Sequence, residues 1–156
     1  MSNNDGPLTF AGLAPGDEHY LSDWFELDEQ HLREFAHATY LDEEHVDLTF
    51  SRNNPFGSNL VDGFWMLSAL LYFNFKYGRS TGPNSYGFNY GLDRVRFTSP
   101  LMLGERIRVR SVIKEVRGHR DGVLATTTNT MEIEGKDKPC MVADLLLLTI
   151  TPDEEA

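Results

Sequence analysis

The apolar positions of this chain keep two different periods, helical in the first half and alternating after Tyr86. Asp28 stands as an N-cap, and Leu27 with Leu32 takes the two positions of a hydrophobic staple, so a helix is expected from there to about Ala38. Its apolar residues Leu32, Phe35, Ala36 and Ala38 crowd one side, as in a short amphipathic helix. The next helix differs. In GFWMLSALLYFNF, Gly63 to Phe75, ten residues of thirteen are apolar and they cover every face, which predicts burial all round. At about 1.5 Å per residue it spans roughly 20 Å, too short for a bilayer, so protein must surround it.

Beyond Tyr86 the segments RVRF, RIRVRSVIKEV, VLATTTNTMEIE and MVADLLLLTI read as antiparallel strands, separated by SPLMLGE, RGHRDG and EGKDKP. Val95, Phe97, Ile107 and Val109 alternate with Arg94, Arg96, Arg106, Arg108 and Arg110, giving one apolar face and one basic face. The sheet has a face to bury and the helix needs a cover. The joint solution is an α+β architecture of the hotdog kind, an antiparallel sheet wrapped around a buried central α-helix.

A length of 156 residues suits one domain, expected over 19–151, with a loose lead-in at 1–18 and a short tail at 152–156. The net charge of −10 argues against nucleic acid or an anionic membrane as partner. The charge is uneven, however. Residues 1–47 hold twelve acids against Arg33 alone, whereas Arg94 to Arg120 hold eight bases against Glu105 and Glu115, so an anionic ligand would seek the second half. Cys140 is the single cysteine, which excludes an intrachain disulfide and fits a reducing, cytoplasmic setting. MSNNDGPLTF carries neither a basic start nor a long apolar run, so no secretory signal or membrane anchor is expected there. There is no GxSxG elbow, Gly-rich phosphate loop, HExxH or paired-Cys site, and neither a metal nor a cofactor is expected.

The succession FAHAT, then His45 with Asp47, then PFGSNLVDGFWMLSALL, FNYGLDRVRFTSPLMLGERIRVR and DGVLATTTNTMEIEGKDKPCMVAD resembles the MaoC-like, (R)-specific enoyl-CoA hydratase family, in particular its NodN-like branch, over about Ser22 to Thr151. The resemblance implies a homodimeric hotdog enzyme that hydrates a 2-enoyl-CoA or carrier thioester, or dehydrates the (R)-3-hydroxyacyl form. It also implies an Asp and His on the loop before the central helix, which activate a water, and a backbone N–H at that helix's start, which polarises the carbonyl.

Carried onto this chain, the His is His45 and the N–H is that of Gly63. The acid is Asp42, with a departure: the family reads Ala-Thr-Gly-Asp with four residues before the His, whereas here Ala38-Thr39-Tyr40-Leu41-Asp42 leaves Glu43 and Glu44 alone between acid and base. Tyr40 replaces a Gly that would permit left-handed backbone angles. A solvated acidic turn is the competing reading of YLDEEHVD. A second departure is Asp62 where the family has His. Its carboxylate, roughly 6 Å from a developing enolate, would oppose that charge by about 3 kcal/mol at an effective dielectric near 20. Asp62 is thus a helix cap or, in the alternative reading of an acyl-thioesterase, the group that attacks the thioester or activates water against it. Ser68 stands near the expected acyl chain, and Arg94 and Arg96, with Arg106, Arg108 and Arg110 on the same basic face, are candidates for the carrier's phosphates, a solvated outer face being the competing reading. A non-catalytic acyl-binding protein is the third reading.

Overall fold

Among the described residues three helices precede four long strands, and the long strands carry most of the core. The computed structural model describes residues 10, 12–79, 84–120 and 122–152. In chain order the elements are β1 (Glu18–Leu21), β2 (Phe25–Glu26), α1 (Glu29–Ala38), α2 (Thr49–Arg52), α3 (Gly63–Tyr77), β3 (Tyr86–Phe97), β4 (Arg106–His119), β5 (Gly122–Ile133) and β6 (Met141–Ile150). All pairings are antiparallel, and the sheet runs β1-β4-β5-β6-β3 with β2 also on β4. The helix α3 lies across one face of this sheet, which is the hotdog arrangement.

Alternation decides the faces. Along β4, Ile107, Val109, Ser111 and Ile113 are buried while Arg106 and Arg110 stay exposed, and β5 and β6 add Met131, Ile133, Met141, Ala143 and Leu145 to the same apolar layer. Against that layer α3 sets Met66, Ala69, Leu70 and Phe73, one stripe at helical spacing. Cys140 is buried beneath it, and burial pushes its thiol up to about 12.

Two expectations need correcting. The central helix is not buried all round: Phe73 is 0% exposed, but Phe64 is 70% and Phe75 87% exposed. A single sheet covers one side of a helix, so the second apolar face is left for another surface. Nor does the alternation of β3 persist. Arg94 takes a left-handed φ of 50° and the pairing with β6 slips between Asp93 and Arg96, so Val95 packs on the core while Phe97 remains 47% exposed.

The lead-in is tied down where it is described. Phe10 is buried against Ile113 and Ala125, the Gly16 N–H donates to the Ile113 carbonyl at 2.8 Å, and the Ile113 N–H donates to Asp17 O at 2.9 Å. Residues 1–9 and 11 of the expected lead-in and 153–156 of the expected tail lie outside the described residues. Among the described residues no helix is long and apolar enough to cross a membrane.

Candidate active site

The C-terminus of α1 builds the first half of the site. Thr39 is the C-cap, the Leu41 N–H donates to Ala36 O at 2.8 Å, and the Tyr40 N–H donates to His37 O at 3.1 Å. This paired pattern is a Schellman motif, whose first residue past the cap must be left-handed and is usually Gly. Here it is Tyr40, at φ 62°. The chain turns again at once, because the Asp42 carbonyl accepts from the His45 N–H at 3.1 Å and the Val46 N–H at 3.0 Å.

Two tight turns in succession compensate for the short spacing. They bring Asp42 Oδ1 to 2.6 Å from His45 Nδ1, and Asp42 Oδ2 to 2.7 Å from His37 Nδ1. The His45 and His37 hydrogen bonds hold the Asp42 carboxyl below its usual range, so it is ionised and only accepts. Each Nδ1 therefore carries the hydrogen, and a neutral His45 keeps Nε2 as its basic nitrogen. The Tyr40 ring meets that of His45 edge-on at 5.0 Å. The bond from Asp42 raises the pKa of His37. Ligand atoms of His37, Asp42 and Glu44 lie within 4.8 Å of one another. Both Asp42 oxygens already accept from imidazoles, so a cation there would have to displace one of those bonds.

The second half of the site is the start of α3. Asp62 is its N-cap, with Oδ1 accepting from the Phe64 N–H at 2.7 Å. Its carbonyl takes the N–H groups of Trp65 and Met66 at 3.1 and 3.3 Å. The Gly63 N–H finds no acceptor among the described residues, and the helix dipole adds partial positive charge there. A cavity of about 980 Å³ opens at this end, walled by α1, α2, the start of α3 and the end of β3. Gly63 does not face open space throughout: a side chain there would meet the tip of the Phe97 ring at 2.8 Å. Here the missing side chain makes room for a phenyl ring.

Of the sequence-derived candidates, Gly63 and Asp62 line this cavity; Asp42 and His45 are not among its lining residues, although Leu41, next to Asp42 in the chain, is. Ser68 opens instead into two smaller spaces of about 440 and 360 Å³, the second shared with Asp62, Phe64 and Leu41. Arg94 and Arg96 are not brought to the Gly63 cavity. The bulge turns Arg94 toward a separate space beside Lys114 and Asp144, and Arg96 donates to the neighbouring Val95 carbonyl at 2.7 Å. Arg106, Arg108 and Arg110 form ion pairs with Glu134 and Glu132 across β5. The cations that do line the cavity are Arg33, bonded to Glu29, and Arg52, bonded to Glu43. They sit in the acidic half of the chain, where charge counting pointed away. His37 was passed over as well; its signal was a position in the last turn of α1, two residues before the C-cap, with an acid five residues on.

A model of the MaoC-like domain matches residues 11–134. Nodulation protein N of Rhizobium meliloti (strain 1021) is 34% identical over 137 residues, 85% of this chain and 84% of that protein. The 3-hydroxyacyl-thioester dehydratase Z of Mycobacterium tuberculosis (strain ATCC 25618 / H37Rv) is 34% identical over 137 residues, 86% of this chain and 89% of that protein. Among solved structures, a MaoC-like dehydratase from Rhodospirillum rubrum superposes with a TM-score of 0.71 at 14% identity, covering 94% of this chain and 99% of its own, a likeness of fold. The chain belongs to the MaoC-like dehydratase family.

Proposed function

We propose that this protein hydrates a 2-enoyl thioester, or dehydrates the (R)-3-hydroxyacyl thioester, with Asp42 and His45 activating water and Gly63 holding the carbonyl. One observation carries the reading: the 2.6 Å Asp42–His45 bond survives the shortened loop. The carboxylate fixes the imidazole tautomer, so Nε2 takes a proton from water as the oxygen bonds to C3. The π electrons move through C2 to the thioester oxygen, and the imidazolium returns its proton to C2. The developing enolate oxygen is met by the Gly63 N–H at the α3 N-terminus, once the exposed Phe97 ring swings aside.

Asp62 reads as a cap in this scheme, since its carboxylate is engaged by the Phe64 N–H. A CoA or carrier phosphate would find Arg33 and Arg52 at the cavity before Arg94 or Arg96. The uncovered face of α3 and the edge of β3, with Tyr86, Phe88 and Tyr90 exposed, suit a second copy of the chain.

Incubation with crotonyl-CoA tests the reading. Loss of the enoyl absorbance without free thiol is the expected result. Thiol release instead would make the protein a thioesterase, and silence over several acyl lengths would leave an acyl-binding protein. Asp62→Asn keeps the cap yet removes a charge, so hydration should quicken by up to about a hundredfold, the equivalent of roughly 3 kcal/mol; a thioesterase that uses Asp62 would stop.

A further inference from the structure

We infer that His37 is a positioning residue for this reaction, the outer member of a His37–Asp42–His45 relay in which one carboxylate is clamped between two imidazoles. The inference rests on the reading of His45 as the base. The observation behind it is symmetry at Asp42: Oδ2 accepts from His37 Nδ1 at 2.7 Å while Oδ1 accepts from His45 Nδ1 at 2.6 Å, and the two rings lie 6.1 Å apart.

A carboxylate held by one partner can rotate about its Cβ–Cγ bond, and one held on both oxygens cannot. That restraint matters more here than in a longer loop. Asp42 follows a left-handed tyrosine and precedes a turn closed by its own carbonyl, so its backbone is fixed but its side chain, 21% exposed, is not enclosed by packing. His37 supplies the missing wall. It is anchored for this purpose on the last turn of α1, while Asp42 and His45 belong to the loop.

The arrangement also sets a charge. The charged and titratable groups around His37 are Asp42 and Glu44 from the loop, the His45 ring 6.1 Å away, and Arg33 and Glu34 one turn back on its own helix. The hydrogen bond from Asp42, then the Asp42 charge and that of Glu44, raise the pKa of His37, so it carries a proton to higher pH than a free histidine. A protonated His37 draws on the Asp42 charge and sets a positive charge in a ring 6.1 Å from that of His45, a charge that a neutral replacement lacks.

The test uses the full chain, with His37→Ala and His37→Asn compared with wild type and His45→Ala in crotonyl-CoA hydration from pH 5 to 9. Asn offers a donor where Nδ1 stood but no charge. His37→Ala should lower kcat about tenfold with KM within about twofold. His37→Asn should recover most of kcat, yet move the acid limb of the pH profile upward by about half a unit. Should both variants keep the wild-type kcat and profile while His45→Ala is inactive, His37 is a bystander and the inference falls alone. Inactivity of the wild type would instead count against the hydratase reading. Titration of the His45 imidazole by ¹⁵N NMR then decides the relay without turnover: its midpoint rises in His37→Asn if the relay exists, and an unchanged midpoint overturns it.

Discussion

The slab of β4, β5 and β6 and the shoulder made by α1, α2 and the loops between them are built from the same chain by opposite means. In the slab even the polar side chains are enclosed and answered. Asn129 donates to Thr127 O at 3.1 Å, and the buried Asp144 accepts from Thr128 Oγ1 at 2.8 Å and Lys114 Nζ at 2.5 Å. On the shoulder neither α1 nor α2 has a fully buried residue, and its conformation is held by caps, turns and carboxylate–imidazole bonds. Stability resides in the first region, and the chemistry proposed above falls on the second, which has the polar reach and the freedom that chemistry needs.

A crossed pair of substitutions tests this division most strongly. Phe73→Ala empties the best-buried aromatic position of the core and should cost about 3–5 kcal/mol in denaturant unfolding. Activity per folded molecule should change little. His45→Ala should do the reverse, lowering kcat for hydration by about 10²–10⁴ while the unfolding midpoint hardly moves. If His45→Ala destabilised the fold as much as Phe73→Ala, the shoulder would be part of the core and the comparison would fail.

Histidine titration offers a smaller effect, with opposite signs for a histidine packed beside the slab on β1 and one on the shoulder. His19 on β1 is boxed in by Phe10 and Tyr20, bonds Ser111 Oγ through Nδ1 at 3.1 Å, and accepts the Arg79 N–H at Nε2. Burial, then the Arg79 charge, lowers its pKa from 6.5 to about 4. Above pH 6.5 neither state protonates it; between 6.5 and 4 the unfolded chain binds a proton that the native one does not. Its contribution is therefore present above pH 6.5 and lost as pH falls toward 4, by about 3 kcal/mol. His37 has the contrary shift, so its bond to Asp42 is strongest in acid and weakens as pH rises through its raised pKa. Acid unfolding followed in wild type and His19→Gln should show the steep loss between pH 6.5 and 4 in wild type alone.

How much of this was legible in the sequence follows the same boundary. The run MVADLLLLTI became β6, and Asp28 capped α1 through the His31 N–H at 2.8 Å, because alternation and capping are local and strong. The short β1, β2 and α2 gave no periodic signal, since two to four residues cannot establish one. The overestimated burial of α3 came from counting apolar residues without knowing how many surfaces would cover them. At the site, the pairing of Asp42 with His45 depended on two backbone turns that residue spacing does not encode. The Arg94 bulge likewise sent a side chain away from the face that strict alternation assigned to it.

The smallest effect bears on what the shoulder gives up for its geometry. A non-glycine residue in the left-handed region costs roughly 1–2 kcal/mol, and Tyr40 occupies the one position of its Schellman motif where Gly would remove that cost. Tyr40→Gly should therefore relieve backbone strain, offset in part by the wider conformational range of the unfolded chain. It should also free His45 from the edge of the Tyr40 ring. Together these predict a fold more stable by up to about 1 kcal/mol in urea titration, with kcat lowered because the imidazole is less confined. Loss of both stability and activity would mean the ring is a structural prop. A gain in stability with no change in kcat would mean that the relay through Asp42 alone fixes His45, and that the strain at Tyr40 serves only to turn the chain.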